Sequence, residues 1–321
     1  ILSAQIALEV LGEAKIGDDI EFAAYNTLPA TLYPDGKGMR YYCILNQPAC
    51  INKDLKFANG TGFFCNIPGP YSGFGCCRSN FHFAWPKFAE SMWMKRENGL
   101  AATAYGDCTV KTDVAVIKES GGYPFSDSVK LEIAETAQTP WPLFLRIPGW
   151  SKSTSLNVNG IPVEGKITPG TFFRISRNWK KGDVINLSFT AEVEISKWKY
   201  DSLAATRGAL LYALHIKARE SVFNIPSSSL VYKDHDGILL DKKLEMPMKE
   251  LHAISPWNYA LVAEKSGDVK FNVKGEGKNR RLSVKAVRTK HDGWGTMSAQ
   301  APGRAKDPPA SPVPTSGAEG D

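Results

Sequence analysis

The chain has 321 residues, of which 43% are hydrophobic and 22% are charged, as in an ordinary globular protein of two or three domains. Its formal net charge of +6 is a small excess within 39 basic and 33 acidic residues, and it indicates no nucleic-acid partner. No apolar run approaches the roughly 20 residues that a membrane helix needs, so no membrane partner is expected.

The first predicted elements are two short helices. In ILSAQIALEV the apolar residues recur at helical spacing, and Gly12 is a plausible stop signal. Asp18, followed three residues later by Glu21, resembles a capping box, which predicts a second helix that starts there and is limited by Pro29. The opening residues contain neither an initiator Met nor the basic segment of a signal peptide. The sequence therefore looks like a segment that begins inside a helix.

A long segment between residues 31 and 75 is rich in Gly, Pro and Asn and has no sustained period. It is predicted to be a partly ordered loop, and a loop of this length inside a compact domain usually has a function. Helical character resumes over residues 80–95, where Pro86 must occupy a first turn or kink the helix.

From about residue 99 onward the sequence becomes a series of short β-rich runs separated by the turn signals GGYP, NG, PG and KKGD. This pattern predicts an antiparallel β-sandwich. The runs are TDVAVIKES, DSVKLEI, PLFLRIPGW, TSLNVNGIPV, TFFRISRNW and GDVINLSFTAEVEI. A second β-rich segment is predicted from about 200 to 300, where the basic stretch 274–291 alternates like a strand pair around a polar turn. The Pro/Ser-rich tail is predicted to be a linker or a frayed end.

Six cysteines are present, and no two of them form a CxxC pair. Cys76 and Cys77 are adjacent, and neighbouring cysteines rarely bond each other because the ring is strained. The residues alone leave two interpretations, a buried apolar pair or a metal ligand beside a nucleophile. Zinc holds a bound thiol as the thiolate, which is the attacking form. Two sulfurs do not complete a zinc site, which needs at least three protein ligands.

Other residues also have a structural and a functional interpretation. Cys65 is either a third sulfur ligand or a plain loop thiol, and His82 is either a site residue or a histidine on a packed helix. Tyr41 either contacts a ligand or packs in a strand. Five aromatic residues either stack on a ligand or form core: Phe81, Phe83, Trp85, Phe88 and Trp93. The following residues are interpreted as structural: Cys43, Cys50, Cys108, Arg146, Trp150, Trp179 and Asp183.

Several stretches occur together in an order that resembles a known enzyme family. They are AAYNTLPATLYPDGKGMRYYCILNQP, GFGCCRSNFHFAWPKF, YPFSDSVKLEI, LFLRIPGW, VNG, WKKGDVINLSF, RGALLYAL and SPWNYALV. From Ile1 to about Leu261 the chain resembles glycoside hydrolase family 127, the β-L-arabinofuranosidase family once described as a domain of unknown function. The paired cysteines after Gly75, with LRIPGW and WKKGD at the right separations, are the specific part of this likeness.

The resemblance implies a mixed α and β chain, in which the C-terminal part of an (α/α)6 barrel is followed by antiparallel β-sandwich domains. The implied division is a partial catalytic barrel at 1–98, a β-sandwich at 99–198, a second β-rich domain at 199–300 and a flexible tail at 301–321. The implied function is a retaining glycoside hydrolase that removes β-L-arabinofuranosyl residues from plant-type oligosaccharides or polysaccharides. Relatives are often secreted, which suggests a periplasmic or extracellular location.

The family's zinc site is built from one Glu and three Cys, and one of these cysteines is also the nucleophile. Carried onto this chain, Cys76 matches the nucleophile and zinc ligand, Cys77 matches a second zinc ligand, and Tyr41 falls near a tyrosine that contacts the sugar. The family's Glu-x-Cys ligand pair and its acid/base glutamate lie before the region that matches Ile1. We therefore expect this chain alone to retain no zinc and to be inactive.

A non-catalytic carbohydrate-binding or scaffolding β-sandwich protein is the alternative to the enzyme. The coding sequence before Ile1 distinguishes the two functions. A Glu-x-Cys pair shortly before Ile1 favours the hydrolase, whereas an in-frame start codon there favours the binding module.

Overall fold

The computed structural model describes residues 1–41, 50–51, 67–70, 75–197, 203–226, 245–257, 259–262 and 268–288. At residues 75–78, 223, 225–226 and 245–246 only the backbone is described. The helices are Leu2–Leu11 (α1), Ala14–Phe22 (α2), Leu28–Ala30 (α3) and Gly75–Ser91 (α4), and a π-helical turn at Ala23–Thr27 joins α2 to α3. In these ranges no helix is both long and apolar enough to cross a membrane.

Two sheets are built from the ten strands between residues 93 and 189. In chain order the strands are Trp93–Arg96 (β1), Gly99–Ala102 (β2), Cys108–Lys111 (β3), Ala115–Ser120 (β4), Ser128–Thr136 (β5), Trp141–Ile147 (β6), Thr154–Val158 (β7), Ile161–Pro162 (β8), Thr171–Arg177 (β9) and Val184–Phe189 (β10). The smaller sheet has the order β1–β2–β6–β9, and the larger has the order β3–β4–β5–β10–β7–β8.

The strand pairing differs from the prediction at one place, because β2 and β6 are parallel neighbours in the otherwise antiparallel sheets. Parallel neighbours need a long crossover. Here the chain supplies one by forming β3, β4 and β5 in the larger sheet before it returns to the smaller sheet as β6. No local sequence pattern indicates such a return.

The inner faces of the two sheets share one hydrophobic core, which confirms the predicted β-sandwich. Strands β4 and β10 alternate between more and less buried positions, as strands with one inward face do. Each fully buried aliphatic side chain contributes roughly 1.5–3 kcal/mol. Side chains from both sheets belong to this single cluster: Leu100, Leu143 and Leu145 from the smaller sheet, and Ile117, Leu131, Ile185 and Leu187 from the larger.

Two predicted turns of the sandwich are bonded directly to each other. Asn159 and Gly160 have φ values of 53° and 81°, the conformation of a two-residue hairpin turn. The Asn159 side chain donates to Asp183 Oδ1 at 2.8 Å and accepts from the Val184 amide at 2.8 Å. Asp183 also accepts from the Lys180 amide at 2.9 Å. Asp183 is therefore structural, as predicted, and it joins the VNG turn to the WKKGD turn.

Helix α2 is held against the smaller sheet by Arg146. Every residue of β6 is buried, and because successive strand residues point to opposite faces, Arg146 lies on the face opposite the core residue Leu145. Its fully buried guanidinium forms ion pairs with Asp18 and Glu21 of α2. Its Nε donates to Thr103 O at 2.6 Å. Burial acts to lower the pKa of Arg146, but Glu21 and Asp18 outweigh burial and raise the pKa, so the guanidinium stays charged.

The predicted start of the second helix at Asp18 is wrong. Helix α2 begins at Ala14, after Glu13 in an extended conformation. Asp18 lies inside the helix, where it pairs with Arg146 and accepts a hydrogen bond from the Gly149 amide at 2.9 Å. The spacing of Asp18 and Glu21 therefore serves a buried cation rather than a helix cap.

The other helix predictions have mixed outcomes. Gly12 ends α1 as predicted, because its φ of 66° is left-handed and its amide donates to Leu8 O at 2.8 Å. Pro86 lies in the interior of α4 rather than in its first turn. The helix predicted over residues 80–95 begins earlier, at Gly75, and gives way to strand β1 after Ser91.

The second β-rich segment consists of smaller sheets in the parts of the chain described after residue 189. Their strands are Val193–Lys197 (β11), Leu203–Arg207 (β12), Leu210–Tyr212 (β13), Ala218–Pro226 (β14), Glu245–Ala253 (β15), Tyr259–Leu261 (β16), Phe271–Lys274 (β17), Arg281–Val284 (β18) and Ala286–Arg288 (β19). The pairings are β11–β12–β13, β14–β15, β16–β19 and β17–β18. The strand pair predicted in the basic stretch is found in part: β18 lies in the stretch, but its partner β17 lies before it except for Lys274. The tail after residue 300 lies outside the described residues.

Replacing Gly17 in α2 tests the contact between this helix and Arg146. A Gly to Ala change inside a helix normally stabilises by about 1 kcal/mol. Here a Cβ atom on residue 17 would lie 2.5 Å from Arg146 Cδ and 2.6 Å from Thr103 O. We therefore expect Gly17→Ala to lower the free energy of unfolding by about 2 kcal/mol in urea denaturation followed by circular dichroism.

The exposed residue Lys15 of the same helix provides the control, and Lys15→Ala should change stability by no more than about 0.5 kcal/mol. A Gly17→Ala variant as stable as the wild type would contradict close packing of α2 on Arg146.

Candidate functional site

The cysteine pair lies at the start of a long helix. The sequence predicted that this helix begins only at residue 80, after the cysteine pair. Helix α4 begins at Gly75, so Cys76 and Cys77 occupy its first turn. Their side chains lie outside the described residues, as do Cys43 and Cys65. A helix N-terminus lowers the pKa of a cysteine thiol, because its unpaired amides stabilise the thiolate. The backbone position therefore suits a reactive cysteine, without assigning its ligand.

A cleft of about 380 Å³ lies beside the middle of α4. Small-molecule sites are typically concave and mainly apolar, with a few polar groups, and this cleft has that character. Its walls come from α4 and from two segments of the Gly/Pro-rich region, and its lining residues are Leu32, Gly36, Lys37, Gly38, Met39, Gly69, Pro70, Phe81, His82, Trp85 and Pro86.

The five aromatic residues after the cysteine pair divide between core and surface. Phe88 and Trp93 are 3% and 8% exposed, which confirms the core interpretation for these two. Phe81 and Trp85 are half-buried and line the cleft, and Trp85 packs edge-on against Phe88 with ring centroids 6.0 Å apart. Phe83 is 63% exposed.

His82 differs from its structural interpretation as a packed histidine. It is exposed and lines the cleft one residue after Phe81. An imidazole at this place can donate or accept a hydrogen bond toward a ligand in the cleft.

Tyr41 is half-buried and follows a segment that forms one wall of the cleft. In that wall the Met39 amide donates to Gly69 O at 3.0 Å and the Gly69 amide donates to Met39 O at 3.2 Å. The Arg40 amide donates to Thr31 O at 2.8 Å. The structure thus brings the segment before Tyr41 to the cleft beside α4. Contact of Tyr41 with a sugar stays a prediction.

A second group of ionisable side chains lies away from the cleft, in the core around Glu119. The carboxyl group is 5% exposed and accepts hydrogen bonds from the Gly106 amide at 2.8 Å and Trp93 Nε1 at 3.0 Å. Burial raises the pKa of Glu119 to about 8, against the lowering effect of these hydrogen bonds. Glu119 therefore carries its proton over much of the neutral range.

Cys50 and Cys108, the two cysteines whose side chains are described, are free thiols, and their surroundings raise the thiol pKa rather than lower it. Cys108 Sγ lies 3.7 Å from Glu119 Oε2, and burial together with the carboxylate raises the pKa of Cys108 to about 12. Burial also raises the pKa of Cys50, against the lowering effect of Arg40. A nucleophilic cysteine needs a lowered pKa. These findings agree with the structural interpretation of Cys50 and Cys108.

The sequence did contain one signal for the buried ionic contacts that the prediction missed. Arg146 is the one charged residue in the strand WPLFLRI, and a charge in a fully buried strand requires a partner. Its partner Asp18 is 128 residues away in the sequence, so nothing local identifies it.

No metal site is formed by the side chains that the structure describes, since no three His, Cys, Asp or Glu residues among them are grouped to hold an ion. The thiols of Cys76 and Cys77 are not among those side chains. Two sulfur donors fit the chemistry of zinc, but further ligands are needed to complete a site.

Residues 99–191 match the family model described as β-L-arabinofuranosidase, GH127 middle domain. This match confirms the resemblance drawn from the motifs. The matched residues contain strands β2 to β10, which make up the sandwich except for β1. No curated protein matches this chain.

Three solved structures share the fold over most of this chain. A glycoside hydrolase is 21% identical over 76% of this chain, with a TM-score of 0.54. A GH127 β-L-arabinofuranosidase from Geobacillus stearothermophilus T6 is 18% identical over 77% of it, with a TM-score of 0.51. The GH127 β-arabinofuranosidase BT3674 is 19% identical over 88% of it, with a TM-score of 0.55.

This chain spans less than half of the length of these three proteins, namely 46%, 45% and 43%. The likeness establishes the mixed α and β fold with its β-rich domains. The activities named above are those of the three solved proteins, and the shared fold does not assign them to this chain.

The raised pKa of Glu119 predicts a specific pH dependence of stability. An acid with a folded pKa of about 8 and an ordinary value of 4.5 stabilises the fold fully below pH 4.5, and this stabilisation is lost as the pH rises through 8. We expect the free energy of unfolding of the wild type to fall between pH 5 and pH 9 relative to Glu119→Gln, by up to about 4 kcal/mol. Urea denaturation at each pH measures this difference.

Glu135→Gln is the matched control, because Glu135 is an exposed carboxylate on the neighbouring strand β5. Its stability curve should run parallel to that of the wild type. Parallel curves for Glu119→Gln and the wild type would show instead that Glu119 is ionised in the fold throughout this range.

Proposed function

We propose that this chain belongs to the GH127 family and contributes to a glycoside hydrolase that removes β-L-arabinofuranosyl residues from plant-type glycans. The observation that supports the proposal most directly is the match of residues 99–191 to the GH127 middle domain. The shared fold with solved GH127 arabinofuranosidases supports it further. The cleft beside α4 is the place proposed for the sugar.

In this proposal Cys76 is the nucleophile. Its thiolate attacks the anomeric carbon, the bond from that carbon to the leaving oxygen breaks, and an acid group protonates the leaving oxygen. Water then displaces the sulfur with help from the same group acting as a base, so the released sugar keeps its anomeric configuration. The first turn of α4 supports Cys76 in this role, because a helix N-terminus favours the thiolate.

Zinc is the proposed cofactor, and Cys76 and Cys77 are its proposed ligands in this chain. Bound zinc would keep the thiols deprotonated at neutral pH. The remaining ligands and the acid/base group are expected, by the family resemblance, before the region that matches Ile1.

The sugar is proposed to bind between α4 and the opposing wall of the cleft. Positions 81 and 85 are four residues apart, so they lie along one side of the helix. Phe81 and Trp85 supply half-buried aromatic surface on that side for a sugar ring, and His82 and Tyr41 are proposed to contact its hydroxyl groups. Cys76 is proposed to reach the same sugar from the first turn of α4.

The predicted division of the chain remains our proposal, with a partial (α/α)6 barrel at 1–98, a β-sandwich at 99–198, a second β-rich domain at 199–300 and a flexible tail at 301–321. Helices α1, α2 and α4 supply the proposed barrel part. The core shared by the two sheets supports the sandwich part.

Cys76→Ser tests the nucleophile in the complete gene product that contains this sequence. We expect hydrolysis of p-nitrophenyl β-L-arabinofuranoside to fall by at least about 1,000-fold, or about 4 kcal/mol in activation free energy, because serine is not held as an anion. Proton NMR of the first released sugar should show retention for the wild type. The 321-residue chain alone should release no sugar and retain no zinc.

Cys108→Ser is the control, because Cys108 is a core thiol with a pKa of about 12, and its replacement should leave the rate within a few-fold of wild type. Near-normal hydrolysis by Cys76→Ser would exclude Cys76 as the nucleophile. A wild-type gene product that binds arabinan without cleaving it would support the non-catalytic binding protein instead.

A further inference from the structure

The wall of the cleft opposite α4, formed by residues 32–39 and 69–70, is bonded to strand β15, which is far from α4 in sequence. The Lys249 amide donates to Pro68 O at 2.9 Å. Leu251 and Cys50 exchange two backbone hydrogen bonds, at 2.8 and 3.0 Å. The segment at 67–70 in turn pairs with Met39, so a continuous set of backbone bonds runs from β15 to the wall of the cleft.

Close packing supports this connection at Gly69. Met248 of β15 is fully buried, and a Cβ atom on residue 69 would lie 2.1 Å from Met248 Sδ. The backbone of the wall therefore packs directly against the Met248 side chain of β15.

The side chain of Lys249 contacts the tip of the same wall. Its ammonium lies 3.7 Å from the centroid of the Tyr33 ring, 2.9 Å from Asp35 Oδ2 and 3.4 Å from Glu220 Oε1. Tyr33 donates a hydrogen bond to Glu220 of β14. One cation thus ties two residues of the turn at 32–39 to the β14–β15 hairpin.

The turn that Lys249 holds also supplies lining residues of the cleft. Asp35 Oδ1 accepts from the Lys37 amide at 2.8 Å, and the Tyr33 amide donates to Gly38 O at 2.8 Å. Lys37 and Gly38 line the cleft opposite His82 and Trp85 of α4. A shift of Tyr33 and Asp35 would therefore move the lining.

We propose that Lys249 is a positioning residue of the cleft, which sets the distance between the turn at 32–39 and α4 by holding Tyr33 and Asp35. The β14–β15 hairpin then forms part of the sugar-binding site without touching the sugar. This role in sugar binding rests on the proposed hydrolase function.

The contacts of Lys249 can position the turn at 32–39, but they should add little to the free energy of unfolding of the chain. Its side chain is 22% exposed, and Asp35 and Glu220 are 34% and 38% exposed. Ion pairs at such places contribute little to folding. Loss of the ammonium should loosen the turn while the sandwich stays folded.

Hydrogen exchange of the 321-residue chain, measured by mass spectrometry, tests the positioning role directly. Lys249→Met keeps the length of the side chain and removes its charge. We expect the peptide containing residues 31–41 to exchange at least five-fold faster, while peptides of β5 and β10 are unchanged. Lys249→Arg should restore most of the protection. Exchange in residues 31–41 within two-fold of wild type would overturn the proposal.

Lys152→Met is the control, because Lys152 forms a comparable exposed ion pair, 2.7 Å long, with Glu194 of β11. It should leave exchange in residues 31–41 unchanged. A double-mutant cycle of Lys249→Met with Asp35→Asn should show non-additive exchange rates, and additive rates would overturn the proposed contact.

Steady-state kinetics of the complete gene product distinguish this proposal from the proposed function. Lys249→Met should raise KM for p-nitrophenyl β-L-arabinofuranoside five- to ten-fold with kcat within two-fold of wild type, because binding geometry is disturbed and the chemistry is not. Lys249→Arg should restore KM. A fall in kcat at unchanged KM would contradict the positioning role. Absence of activity in the wild type would remove the proposed hydrolase, and the exchange measurement would still decide whether Lys249 holds the turn.

Discussion

The buried contacts of Arg146 determine how the helical part of the chain sits on the sandwich. The guanidinium is fully buried between β6 and α2, and its two carboxylate partners are the groups that make its burial tolerable. Removing one partner of such a pair costs about 3–5 kcal/mol, because the other charge is left buried and uncompensated. Helix α4 is connected to this helical part through α1, because the α1 residue Gln5 donates a hydrogen bond to Ser91 Oγ of α4 at 2.6 Å. The helical wall of the cleft is thus placed by an ion pair in the core.

The sequence stretches that identify the family best are explained by folding rather than by chemistry. In LRIPGW, Arg146 pairs with α2 and the Gly149 amide donates to Asp18. VNG and WKKGD are bonded to each other through Asn159 and Asp183. These residues maintain the sandwich and its contact with the helices, and none of them lines the cleft. The match to the GH127 middle domain therefore lies in the sandwich, while the proposed catalysis depends on the first turn of α4.

Features governed by local patterns could be predicted from the sequence, and features governed by distant partners could not. The short β-rich runs and their turn signals predicted the sandwich. Gly12 and Gly160, which adopt positive φ values, predicted the end of α1 and the turn at Asn159. The helix start predicted at Asp18 is wrong because two carboxylates that pair with a distant arginine can have the same sequence spacing as a capping box. The parallel β2–β6 pair and the raised pKa of Glu119 arise only after the sheets pack. Of the candidate site, sequence identified residues on α4 but not the cleft, whose walls come from three separate segments.

The two walls of the cleft are held by interactions of different strength and different sensitivity to solvent. The wall formed by α4 depends on core packing and on an ion pair whose arginine is fully buried and therefore little screened by salt. The opposing turn depends on Lys249, Asp35 and Glu220, which are partly exposed and which salt screens. A rise in ionic strength should therefore loosen the turn while the sandwich and α4 stay in place. Salt should therefore act on the cleft at the turn at 32–39, because a buried charge anchors the α4 side and partly exposed charges hold the turn to the β14–β15 hairpin.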